Sequence, residues 1–135
     1  MFQWISINQK NQEAMNQVGE IIDTTEIVKS CRVFDPKETM AQLQMDRRKF
    51  VCWGATAFTV DNMRKPRMLR FKVSGMKHRG HVYIFLNGAD LYDVYLTSTK
   101  GTIKEISDGS HGGLYFDMLT DWIDDRVEKQ DDYRF

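Results

Sequence analysis

A chain of 135 residues, 41% of them apolar and including 8 Phe, 5 Tyr and 3 Trp, is enough for one domain with its own core, which excludes disorder along its whole length. The 19 basic and 19 acidic residues cancel, but not locally. Residues 46–80 hold ten Lys or Arg against Asp46 and Asp61, a net +8, whereas residues 81–135 carry −6 and residues 1–45 carry −2.

No window approaches the roughly 20 apolar residues of a membrane span. The start, Met1-Phe-Gln-Trp-Ile-Ser-Ile-Asn, lacks the basic region, apolar run and cleavage site of a signal peptide. Cys31 and Cys52 form no CxxC pair. The expectation is two reduced thiols in a cytoplasmic protein without a membrane association.

Residues 1–34 are rich in Gln, Asn and Glu, with a weak helical pattern around Met15, Val18, Ile21 and Ile22. The run Thr24–Phe34 reads equally as helix or strand. This stretch is expected to be an N-terminal extension packed on the domain or on a partner. A single domain is expected over 35–135. Asp35-Pro36-Lys37-Glu38 is a helix start: a capping Asp, Pro at the first helical position, and Glu three residues after the cap. The helix is expected to run to about Phe50 or Cys52 and to end at Gly54.

Strand candidates follow at Ala55–Val60, at 67–74, at 81–86 and at Leu91–Thr99, with a short last strand at Thr102–Ser107. Asp61-Asn62 and Pro66 mark a loop, and Asn87-Gly88 is a hairpin signal. Beyond the loop at 108–113, Leu114, Tyr115, Met118, Leu119, Trp122, Ile123 and Val127 form an apolar stripe at helical spacing. Asp117, Asp121, Asp124, Asp125 and Glu128 lie outside it, as a solvated face would. The expected fold class is α+β: a helix, a four-stranded antiparallel β-meander, and a C-terminal amphipathic helix.

Alternation divides the sheet into two faces. Leu69, Phe71, Val73, Val82, Ile84, Leu86, Tyr92, Val94 and Leu96 would share the face under the last helix. Arg70, Lys72, His81, Tyr83, Phe85 and Tyr95 would share the other. Rings beside cations can bind single-stranded nucleic acid, with bases on the rings and phosphates on the cations. Coverage of this face by the first helix, the N-terminal extension or a second copy is the competing outcome and the expected one, since exposed apolar patches are uncommon on monomers. The loop cations Arg64, Lys65, Arg67, Lys77 and Arg79 are expected in solvent either way.

Chemistry is harder to find. His78, His81 and His111 lack a Cys or carboxylate at ligand spacing, so neither metal nor cofactor is expected. Ser107, Asp108, Ser110 and His111 crowd one loop without forming a triad. No GxGxxG or P-loop occurs. An enzyme is not expected.

Five segments taken together carry a resemblance: Phe50-Val-Cys-Trp53-Gly54-Ala55; Leu69-Arg-Phe71-Lys72-Val73-Ser-Gly75; Gly80-His-Val82-Tyr83-Ile84; Leu86-Asn-Gly88 with Asp90-Leu91-Tyr92-Asp93; and Leu114-Tyr115-Phe116-Asp117-Met-Leu119. Over about residues 43–127 the chain resembles small uncharacterised proteins of Bacteroides-type bacteria and of their phages and mobile elements. The resemblance implies a compact α+β domain and supplies no activity. The functional expectation is a non-enzymatic binding module. Nucleic acid is the leading partner, through Arg64, Lys65, Arg67, Arg70, Lys72, Lys77 and Arg79, with Tyr83, Phe85 and Tyr95 stacking if exposed. The alternative is a protein-binding module, as a homodimer or as a factor that engages a host protein.

Overall fold

The computed structural model describes residues 16–107 and 113–128. Its centre is an antiparallel sheet of five strands in sequence order: β1 (Thr56–Val60), β2 (Met68–Ser74), β3 (Arg79–Leu86), β4 (Tyr92–Thr97) and β5 (Ile103–Ile106). The sheet thus has one strand more than the four expected. Both short outer runs pair antiparallel with their neighbours, each through a ladder interrupted by one irregularity, at Thr56/Thr59 for β1 and at Leu96/Thr97 for the β4–β5 pair.

Helix α1 (Thr24–Val28) precedes the sheet on one side, and α2 (Pro36–Gln44) and α3 (Arg47–Cys52) on the other. The Asp35 carboxylate accepts the Lys37 N–H at 2.9 Å and Pro36 takes the first turn, as the cap pattern requires. The single helix expected from Asp35 to Cys52 is broken at Met45-Asp46. There the Met45 N–H turns back to the Gln42 carbonyl, and the Asp46 side chain caps a new helix through the Lys49 N–H. A second capping residue inside an apolar run allows the chain to change direction. Trp53 and Gly54 close α3, and Gly54 sits at φ +61, a conformation glycine adopts without a Cβ penalty.

Pairing fixes the faces. Leu69, Ile84 and Val94 are directly opposite one another, as are Phe71, Val82 and Leu96. These residues form the main core with Leu43, Trp53, Leu114, Leu119, Ile123 and Val127. The last helix is shorter than its apolar stripe. Leu114 is bridged to Tyr92 as strand, Phe116–Met118 form one 3₁₀ turn, and only α4 (Leu119–Val127) is α-helical. Tyr115, Phe116 and Met118 are consequently exposed.

The solvated acidic face expected on this helix is corrected at two positions. Asp124 is 2% exposed and accepts the Trp53 indole N–H at 2.9 Å. Glu128, also buried, receives the Met76 N–H at 3.3 Å. Both point inward because a buried indole and a hairpin backbone need acceptors there. The hairpin between β2 and β3 covers the end of α4: the N–H groups of Lys77 and His78 both donate to the Val127 carbonyl, at 2.9 and 3.3 Å. Gly75 permits this approach, since a Cβ there would lie 2.2 Å from the Val127 oxygen.

Residues 18–22, expected to be weakly helical, are turn and bridge; Met15 lies outside the described residues. The Gly19 N–H donates to the Ile103 carbonyl and the Ile103 N–H to that of Glu20, both at 2.8 Å, so this segment closes the free edge of β5. Helix α1 then crosses the second sheet face. The Arg32 N–H reaches the Leu86 carbonyl at 2.7 Å, and Phe34 enters the main core.

Trp53→Phe removes a buried hydrogen bond and should cost about 1–3 kcal/mol beyond the lost ring volume. Gly75→Ala should destabilise as well, by forcing the hairpin off α4. Urea unfolding midpoints of both variants against the parent check this.

Candidate nucleic-acid interface

The second sheet face divides into two halves. In the rows Met68–Phe85–Asp93 and Arg70–Tyr83–Tyr95, cross-strand pairing places the aromatic side chains together. Ile22, Ile27, Val28 and Cys31 of the N-terminal segment pack on Met68, Tyr83, Phe85 and Tyr95 as a second core. Tyr83 is 6% exposed and Phe85 fully buried, their rings stacked 6.4 Å apart. Neither offers a ring face to a base: the expected coverage holds for both, and the exposure on which their stacking role depended is not met. Their apolar surface is occupied by α1. Tyr95 is half-buried, edge-on to Phe85. Burial also pushes the Cys31 thiol up to about 11.

The other half of this face is basic. Lys72 pairs with His81 and Thr56, Arg70 lies two residues along the same strand face, and Arg79 lies two residues before His81. Alternate residues on one strand are about 7 Å apart. Lys72 and Arg79 are exposed, while Arg70 and His81 are half-buried. Among the described residues, no carboxylate pairs with Arg70, Lys72 or Arg79. Arg70 donates from Nη2 to the Thr59 hydroxyl at 3.4 Å, and its buried Nε has no acceptor.

The remaining predicted cations separate by local environment. Arg64 and Lys65 are exposed in the loop after β1, where the Asn62 side chain accepts both backbone N–H groups. Arg67 turns inward. Its Nη1 approaches the Val28 carbonyl at 3.4 Å, so it holds the end of α1 onto the sheet. Lys77 reaches the Asp125 carbonyl at 3.4 Å near the end of α4, a favourable place for a cation. Lys49, from the same basic segment, pairs with Asp121 at 2.9 Å. The structure therefore brings together Arg70, Lys72 and Arg79, keeps Arg64 and Lys65 in solvent, and engages Arg67 and Lys77 elsewhere. His81 was absent from the predicted cation set, yet the strand alternation already put it on the same face as Arg70 and Lys72, and it pairs directly with Lys72.

Two histidine pKa values are lowered in this region. For His81 the main cause is burial, followed by the Arg70 charge. For His78, 8% exposed with its Nε2 unpartnered, the main cause is again burial. Among the described residues no cluster of three or more His, Cys, Asp or Glu could hold a metal ion. No described helix is long and apolar enough to cross a membrane. The loop holding Asp108, Ser110, His111 and Gly112 lies outside the described residues.

Fold and site together define an α+β domain: a five-stranded meander, α2, α3 and α4 on one face, and on the other α1 over the aromatic half beside a basic half that no other described element covers. Comparison with protein-family models, curated proteins and solved structures returns no match.

A histidine whose folded pKa lies below its unfolded 6.5 contributes its stability above pH 6.5 and loses it as pH falls towards the folded value. Thermal midpoints should therefore decline below about pH 6.5. His78→Leu, which removes the buried imidazole, should flatten that decline relative to the parent.

Proposed function

We propose that this domain is a non-enzymatic module that binds the phosphate backbone of nucleic acid through the open basic half-face. One observation carries the reading: Arg70, Lys72 and Arg79 share that face with His81, and no described carboxylate pairs with any of the three cations. Field lines from such a patch are uncompensated locally, even though the chain as a whole is neutral.

Burial of Tyr83 and Phe85 changes the mode of recognition. With no stacking platform, binding rests on charge, and backbone contacts carry no base information. The module would then tolerate any sequence, with Arg64 and Lys65 extending the contact at one end. A role of this kind suits a cytoplasmic protein of bacterial or phage origin. Protein binding is the second reading, supported by the exposed Tyr115, Phe116 and Met118 beside Asp117.

Fluorescence anisotropy with labelled oligonucleotides tests the proposal. Three or four phosphate contacts give a log–log salt slope of about −3 to −4 on duplex. Lys72→Glu and Arg79→Glu, both at exposed positions, should each weaken binding about tenfold. Affinity should rise as pH falls from 7.5 to 6, because a bound anion favours the His81 imidazolium. Absence of binding at low salt, or binding indifferent to salt, would refute the proposal.

A further inference from the structure

The cover on the aromatic half is a strap held at its two ends. Residues 19–22 bond to the backbone of Gly101 and Ile103, and Arg32 bonds to that of Leu86. Between these anchors, every backbone-to-backbone hydrogen bond of residues 23–31 among the described residues is local to the strap. Helix α1, at its middle, is weak by itself. It has five residues, none of them buried, and Thr24, Thr25, Ile27 and Val28 are β-branched. So short a helix does not persist alone, and branched side chains lose rotamer freedom in it. Contact with the sheet is what keeps it in place, and that contact is incomplete. Ile22, Ile27, Val28 and Cys31 are each only half-buried. A cavity of about 530 Å³ opens between the strap and the end of the sheet, with Glu26, Ile27 and Cys31 on one wall and Asn87, Asp93 and Tyr95 on the other. The Arg67 Nη1 reaches the Val28 carbonyl at 3.4 Å, a long bond.

Beneath the strap, the rings continue a series that begins in the open basic half. Centre to centre, His81 lies 6.3 Å from Tyr83, Tyr83 6.4 Å from Phe85, and Phe85 5.4 Å from Tyr95. Cations stand beside the first two rings in register, since Lys72 pairs with His81 and Arg70 with Tyr83. Arg67, now bonded to the strap, precedes Met68 at the covered end and is released when α1 leaves. Rings in series beside cations suit a single strand, whose bases stack on the rings while its phosphates meet the cations. A duplex keeps its bases paired inside and brings only phosphates to the open half. The two ligands therefore place different demands on α1: a single strand has to displace it, and a duplex does not.

We infer that α1 is a displaceable cover over a single-strand binding site, where unpaired bases compete with Ile27 and Val28 for the rings of Tyr83, Phe85 and Tyr95. This rests on the nucleic-acid reading of the open half and adds a ligand class and a gate to it. With the strap closed, binding rests on charge alone; with it open, stacking is added. The test uses the full chain with a fluorescein-labelled oligothymidylate and a labelled duplex. Ile27→Ala combined with Val28→Ala takes apolar contact from the strap and raises the open fraction. Apparent affinity scales with that fraction, so single-strand affinity should rise about tenfold while duplex affinity stays within about twofold. In the parent, the single strand should shift the ring resonances of Tyr83 and Phe85, and the duplex should leave them in place. Native-state hydrogen exchange reads the opening without a ligand. The amides of Ile27, Lys29, Ser30 and Cys31 should exchange at least about a hundredfold faster than those of Val82 and Ile84. Equal single-strand affinity in parent and variant, unmoved Tyr83 and Phe85 rings, or strap amides as slow as those of β3 overturns the inference, and leaves the charge-based reading standing where the duplex still binds. Failure of both oligonucleotides to bind at low salt overturns that reading and this inference with it.

Discussion

The hydrogen bond from the Trp53 indole to the buried Asp124 carboxylate organises this domain. An acid inside an apolar core costs free energy unless its oxygens are satisfied. Here the donor belongs to the residue that ends α3, and the acceptor to the helix that closes the chain. The bond fixes α4 against α3 and the first sheet face. Once α4 is fixed, the end of that helix fixes the β2–β3 hairpin, because the Lys77 and His78 N–H groups converge on Val127. Arg79 and His81 leave that hairpin on β3, facing the opposite side of the sheet. The position of the basic row thus follows from a polar contact buried in the other layer.

The same arrangement sorts the charges. Acids of α4 remain on the helix side, where Asp121 neutralises Lys49 and Glu105 pairs with Arg126, whose guanidinium lies 4.0 Å over the Trp122 ring. On the far side of the sheet Ile22, Ile27, Val28 and Cys31 cover the aromatic half, and among the described residues no carboxylate pairs with Arg70, Lys72 or Arg79. The intervening sheet keeps the acids of α4 from Arg70, Lys72 and Arg79, even though Asp121 reaches Lys49 on the helix side.

Much of the architecture is legible in the sequence where local physics decides it. Asp35-Pro36 begins a helix because cap and ring geometry act within one turn, and strict alternation in 67–74 sets the faces of β2. Gly54 ends α3 for a backbone reason visible in its identity. What escaped depends on distant partners. Asp124 and Glu128 resemble solvated acids until Trp53 and the Met76 N–H are brought to them across the fold. Cover over Tyr83 and Phe85 was the expectation and Ile22, Ile27, Val28 and Cys31 supply it; what escaped is the form of that run, too sparse and too short to choose between helix and strand. The break at Asp46 was hidden because a capping residue and an interior helical residue look alike until the chain turns. For the interface, the cations of β2 and the hairpin were identifiable, but Arg67 and Lys77 were not separable from them. Their guanidinium and ammonium groups are drawn to backbone carbonyls on elements far away in the chain.

The central claim is that one half of one sheet face is the contact surface. Amide chemical-shift mapping during titration with a non-specific oligonucleotide tests it residue by residue. The largest shifts should fall at Arg70, Lys72, Arg79 and His81, with α4 unmoved. Shifts concentrated on α4 or on α2, or none on the basic row at saturating oligonucleotide, would contradict it.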